Sequence, residues 1–143
     1  MDRIIQEKIS ADHLLYVSLK YTKTGDVILN LLKRWVSMVD ETIRLLLENA
    51  KDNKKISVIP VAPKLKVDAA KNLYKKNKAI SEGFKLYDFF KVVPKLEKLK
   101  EFEFRKNITL KVNDGTKWIS INLETLREYS AIMDSFVNEV KKL

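Results

Sequence analysis

Glu101 to Asn122 reads EFEFRKNITLKVNDGTKWISIN, and here the periodicity of the chain changes. Phe102 and Phe104 alternate with Glu101, Glu103 and Arg105, and Ile108, Leu110 and Val112 alternate with Thr109 and Lys111. After Asn113-Asp114-Gly115-Thr116 the alternation resumes at Lys117-Trp118-Ile119-Ser120-Ile121. A period of two marks strands with one face buried. An Asp-Gly between two such runs marks a tight hairpin, because the favoured turns need positive φ there. The spacing predicts a β-hairpin at about 101–121.

Everything flanking the hairpin has helical period. Asn122 is placed to cap a last helix, Leu123 to Leu143, with Leu126, Tyr129, Met133, Val137 and Val140 on its buried side. Upstream, Val27 to about Ala50 carries Ile28, Leu31, Trp35, Val39, Ile43 and Leu46 at steps of three and four. Leu32, Val36, Leu45 and Leu47 widen that face beyond what one neighbour covers. Such a helix sits centrally in a bundle or faces a second copy, so Leu32, Trp35 and Val36 are the expected self-association residues. Residues 3–23 form a first helix, with Ile5, Ile9, His13 and Tyr16 sharing a stripe that Leu15 and Leu19 flank. Thr24-Gly25-Asp26 separates it from the second. Pro60 and Pro63 hold 56–63 extended. The fold class is therefore α+β and predominantly helical: a bundle of three to four main helices with a late β-hairpin before the C-terminal helix. One domain spans residues 1–143.

The charge is concentrated in the middle of the chain. Residues 1–53 hold eight basic and eight acidic residues, 54–111 hold sixteen and six, and 112–143 hold four and five, giving the net +9. Within the basic third, Asp68 to Phe90 reads as one helix, with Gly83 its weak point and Pro94 the next boundary; Lys95 to Lys100 reads as a further short helical turn. Lys64, Lys71, Lys78 and Lys85 recur every seven residues, and Lys75 falls between the middle two. On a single helix Lys71, Lys75, Lys78 and Lys85 line one face, opposite Ala69, Leu73, Ile80, Phe84 and Tyr87. The ordinary reading of such a face is a solvated surface; the functional reading makes these lysines, with Lys64 and Lys91, a candidate polyanion-binding set for RNA or DNA backbone or an acidic protein. Lysine is a point charge without arginine's bidentate fork, so such binding is backbone-directed and salt-sensitive. Tyr74, Phe84, Tyr87, Phe89 and Phe90 in the same stretch have core spacing.

No catalytic constellation emerges. Ser10 and the lone His13 share a helical face, but Asp12 points about 100° away from that imidazole and cannot orient it. With no cysteine and one histidine, no transition-metal site, cofactor site or phosphate-binding glycine loop is expected. The residues point to a non-enzymatic interaction or scaffold protein that self-associates. The alternative is sequence-nonspecific nucleic-acid binding through the lysine face in 64–100. The charged amino terminus and the absence of any apolar run near the ~20 residues of a bilayer span predict a cytoplasmic protein with no membrane association.

The stretch ADHLLYVSLKYTKTGDVILNLLKRW at 11–35, followed by a lysine-rich third helix and a terminal helix, resembles small prokaryotic helical proteins of the HEPN type. That resemblance implies a dimeric helical scaffold, from a family whose members include ribonucleases and partners of nucleotidyltransferases. The ribonuclease members carry an arginine closely followed by a histidine. Here Arg3 lies ten residues before His13, so the resemblance implies no nuclease chemistry.

Overall fold

The computed structural model describes Met1–Leu143. Five helices and a small three-stranded antiparallel sheet make up the chain, and the class is α+β, predominantly helical. Helix α1 is Asp2–His13, prolonged by a π-helical segment, Leu14–Ser18, and a last turn, Leu19–Tyr21. Helix α2 is Gly25–Asp52, α3 is Pro63–Leu73 and α4 is Lys78–Val92. A short 3-10 turn, Val93–Lys95, leads into strands β1 (Glu97–Glu101), β2 (Thr109–Asn113) and β3 (Trp118–Asn122), and α5 is Leu123–Lys141.

Side-chain caps set several of the boundaries. Thr24 accepts from the Val27 N–H at 3.3 Å, Asn77 from Ile80 at 3.1 Å and Asn122 from Thr125 at 2.9 Å. Each satisfies an N–H that the first helical turn leaves without a partner. Pro63 starts α3 at the position where its missing N–H is harmless. One cluster of 29 buried residues draws on all five helices and on β2 and β3, so the chain has a single core. Helix α2 is its axis, packed against α1, α3, α4 and β2, while α5 covers α4 and β3. Trp35 stacks on Phe90 with ring centroids 5.5 Å apart, and Phe90 meets Tyr129 edge-on at 5.2 Å.

The predicted hairpin exists as β2–β3, paired from Thr109↔Asn122 to Asn113↔Trp118. Its turn is held by the Asp114 carboxylate, which accepts from the Thr116 and Lys117 backbone N–H groups at 2.9 Å, with Gly115 at φ 98°. The expected start of the hairpin at Glu101 is corrected. Phe102 and Phe104 do not alternate on a strand; both have left-handed backbones, at φ 57° and 65°. They lie in the connection from β1 to β2, which the chain needs in order to reverse direction. The expected helical turn over Lys95–Lys100 is corrected too. Most of it is β1, which pairs with β2 from Glu97↔Asn113 to Glu101↔Thr109. Lys98 closes the preceding turn by donating to the carbonyls of Val93, Pro94 and Leu96 at 3.2, 2.9 and 2.8 Å.

The lysine-striped helix is not one helix. The chain leaves α3 after Leu73 and restarts at Lys78, because Asn77 caps a new first turn. Gly83, expected to be the weak point, is instead a point of close approach between α4 and α5: a Cβ there would clash with the ring of Phe136. The face of α1 also differs from expectation. Ile4, Ala11, Leu15 and Leu19 are buried, while Ile9 and Tyr16 are 62% and 57% exposed and His13 is exposed. The true stripe is offset by about one residue from the expected one. In the π turn the Leu19 N–H also reaches back to the Leu14 carbonyl, and Tyr16 and Val17 within it are exposed.

Candidate functional site

The α1–α2 turn and the β1–β2 connection are tied together. The Phe104 N–H donates to the Lys23 carbonyl at 2.6 Å, and Lys100 Nζ lies 2.7 Å from Asp26 Oδ1. Asp26 accordingly raises the Lys100 ammonium above its ordinary value, by hydrogen bond first and charge second. Ile108, fully buried, anchors the far end of the connection.

Between these tied segments and the start of α5 lies a cleft of about 650 Å³. The buried Leu15 and Leu19 belong to its floor. The π segment and the turn after it contribute Tyr16, Lys20 and Lys23; the connection contributes Phe102, Lys106 and Asn107. The opening of α5 adds Asn122, Glu124 and Arg127. Four cations thus face one carboxylate, and none of the four makes an ion pair within the protein. Lys23 Nζ instead donates to the Lys20 carbonyl at 2.5 Å, and Lys20 Nζ lies 5.7 Å from the centre of the Tyr21 ring.

Two exposed aromatic rings, Tyr16 and Phe102, line the same cleft. Of the five exposed aromatics, Tyr16, Tyr21, Phe102, Phe104 and Trp118, all but Trp118 lie on the end of the first helix, residues 14–21, or on the β1–β2 connection. Tyr21 and Phe104 are 77% and 75% exposed, so neither packs into the core. A left-handed backbone at a bulky exposed residue is strained, and it occurs twice within three residues here. Phenyl faces beside unpaired ammonium groups suit a ligand that is both flat and anionic.

The polyanion set predicted from the lysine spacing is divided by the break between α3 and α4. Lys64, Lys71 and Lys91 share a groove with Lys66 and Arg44, but Asp40, Asp68 and Asp88 line it as well. Lys71 is held by Asp88 at 2.6 Å, and Lys91 Nζ lies 4.7 Å from the centre of the Tyr87 ring. Lys75 lies on the turn between the helices, Lys78 opens α4 and Lys85 points to solvent, all outside that groove. Leu32 and Trp35, expected to face a second copy, are each only 2% exposed in the chain's own core, and Val36 is half-buried. No pair of His13 and Ser10 forms: His13 Nδ1 lies 3.5 Å from Ser18 Oγ, and Asp12 accepts from Lys8 at 2.9 Å. No group of three His, Asp or Glu side chains is placed to hold a metal ion, and no helix is long and apolar enough to cross a membrane.

The cleft was not found from sequence because its residues come from three stretches, 15–23, 102–109 and 122–127. The one usable signal was Phe102 and Phe104 followed by Arg105 and Lys106, which strand periodicity explained away. Compared with known protein families, curated proteins and solved structures, the chain matches none.

Proposed function

We propose that this protein binds single-stranded nucleic acid in the cleft between the π segment, the β1–β2 connection and the start of α5. The observation that supports this is the convergence of four unpaired cations with two exposed aromatic rings, Tyr16 and Phe102, in one concavity. Lys20, Lys23, Lys106 and Arg127 neutralise phosphates, and the rings offer stacking faces that every base fits. Three of the four cations are lysines, so binding follows the backbone and does not select sequence. A duplex keeps its bases stacked on each other and gains nothing from the rings, so single strands are preferred. Self-association through Leu32 and Trp35 is not favoured, because the core already covers them.

The test is fluorescence anisotropy with labelled mixed-sequence RNA and DNA strands across a salt series. Four phosphate contacts on a single strand lower affinity roughly fiftyfold between about 50 and 200 mM salt. Lys106→Glu with Arg127→Glu, both exposed, abolishes binding while leaving the circular dichroism spectrum intact. Equal affinity in that double variant, or equal affinity for duplex and single strand, overturns the reading.

A further inference from the structure

We infer that a bound strand does not end in the cleft but crosses α1 and places its next phosphates on Lys33 and Arg34, in the groove between α1 and α2. This rests on the cleft reading above. The exposed ridge of α1 is made by Ile9, His13, Tyr16 and Lys20, and it separates two concavities. Tyr16 and Lys20 line the cleft on one flank, while Ile9 and His13 line the α1–α2 groove on the other. A helix with its side chains is about 10–12 Å across, a width that a few nucleotides span.

The second groove has the chemistry of a backbone site. Its volume is about 680 Å³, and no carboxylate lines it. Lys33 makes no ion pair, and Arg34 is steered from one side by Glu7, with Nη1 3.3 Å from Oε2. A guanidinium fixed at one nitrogen keeps its others for phosphate oxygens. Asn30, Ser10 and Ser37 surround the two cations with neutral polar groups, which suits a polyanion that stays hydrated. The groove that holds Lys64, Lys66 and Lys91 is a poorer continuation, because its three aspartates repel the same backbone.

Strand length is the discriminating variable. Anisotropy is measured with mixed-sequence RNA of roughly five and roughly twelve nucleotides, bracketed by known single-strand site sizes. Lys33→Gln with Arg34→Gln is expected to weaken the long strand about tenfold, leave the short strand unchanged, and reduce the magnitude of the logarithmic salt slope for the long strand by about 1.4. Asn30→Glu, which leaves the Arg34–Glu7 pair intact, gives the same pattern without removing a cation. Wild-type affinity at both lengths, or an equal loss at both, overturns the crossing. Lys106→Glu with Arg127→Glu weakens both lengths if the cleft is the primary site. If it weakens neither, the cleft reading itself fails, whatever the groove variants do.

Discussion

The backbone N–H of Phe104 donates to the carbonyl oxygen of Lys23 at 2.6 Å. The two residues are far apart in sequence, and their bond fastens one wall of the cleft to the other. The strain at Phe102 and Phe104 flanks that contact, so the connection is held in a conformation that local preferences disfavour.

Phe102→Gly separates stability from binding. Glycine accepts φ near 57° without the steric strain of a bulky residue, about 1–3 kcal/mol, against about 0.5–1 kcal/mol of added chain entropy. Chemical denaturation should show a protein as stable as wild type or about 1 kcal/mol more stable. RNA affinity should fall about tenfold or more, since one stacking face is worth about 1–3 kcal/mol. A variant that loses stability and keeps its affinity contradicts both halves of the argument.

Gly83→Ala tests the close approach of α4 and α5. The new methyl clashes with the Phe136 ring, and the two helices must move apart within a close-packed core. The expected loss is about 1–3 kcal/mol, read as a lower urea midpoint at unchanged slope. Phe136→Leu in the same chain should recover part of it. A midpoint equal to wild type rules out the contact.

Asn77→Ala removes the cap that starts α4 and divides the lysine stripe. The Ile80 N–H loses its 3.1 Å acceptor, and the expected loss is about 1 kcal/mol. Asn77→Asp should hold stability near wild type, because aspartate caps as well and suits the positive helix end. Equal destabilisation by both substitutions means the cap is not what asparagine supplies.

Asp114 predicts a direction with pH. Backbone N–H groups of Thr116 and then Lys117, helped by the Thr116 hydroxyl, hold its carboxyl below the ordinary value of 3.8. A depressed folded-state value means the stabilisation is complete above the unfolded value. It is lost as pH falls through the folded one. Wild type should therefore lose hairpin stability below about pH 4, and Asp114→Ala should lack that component of the acid transition. Parallel acid profiles for the two proteins would show that the turn does not depend on the carboxylate.

Much of the fold could be read locally. The β2–β3 hairpin follows from alternation around Asp114-Gly115, α2 from its steps of three and four, and α5 from Asn122 and the stripe behind it. Each depends on residues within a few positions of one another. Strand β1 was not legible, because Glu97-Lys98-Leu99-Lys100-Glu101 has almost no apolar alternation and becomes a strand by pairing with β2. The face of α1 was not legible because apolar residues lie on both of its sides, with Ile4 and Ala11 buried and Ile9 exposed, and the lysine stripe was broken because Asn77 restarts the helix inside it.

By itself the sequence determined the helical class, the late hairpin, the cap at Asn122, and the basic excess of the middle third. These depend on hydrogen bonds and periodicities a few residues long. Only the tertiary structure decided which cations stay unpaired and which aromatics stay outside. Asp88 neutralises Lys71, and the core encloses Trp35 and Phe90. Lys23, Lys106 and Arg127, spread across the chain, meet around one cleft. Whether a charge is spent within the protein or left for a ligand depends on which distant groups the packing brings within a few ångströms, and no local pattern encodes that.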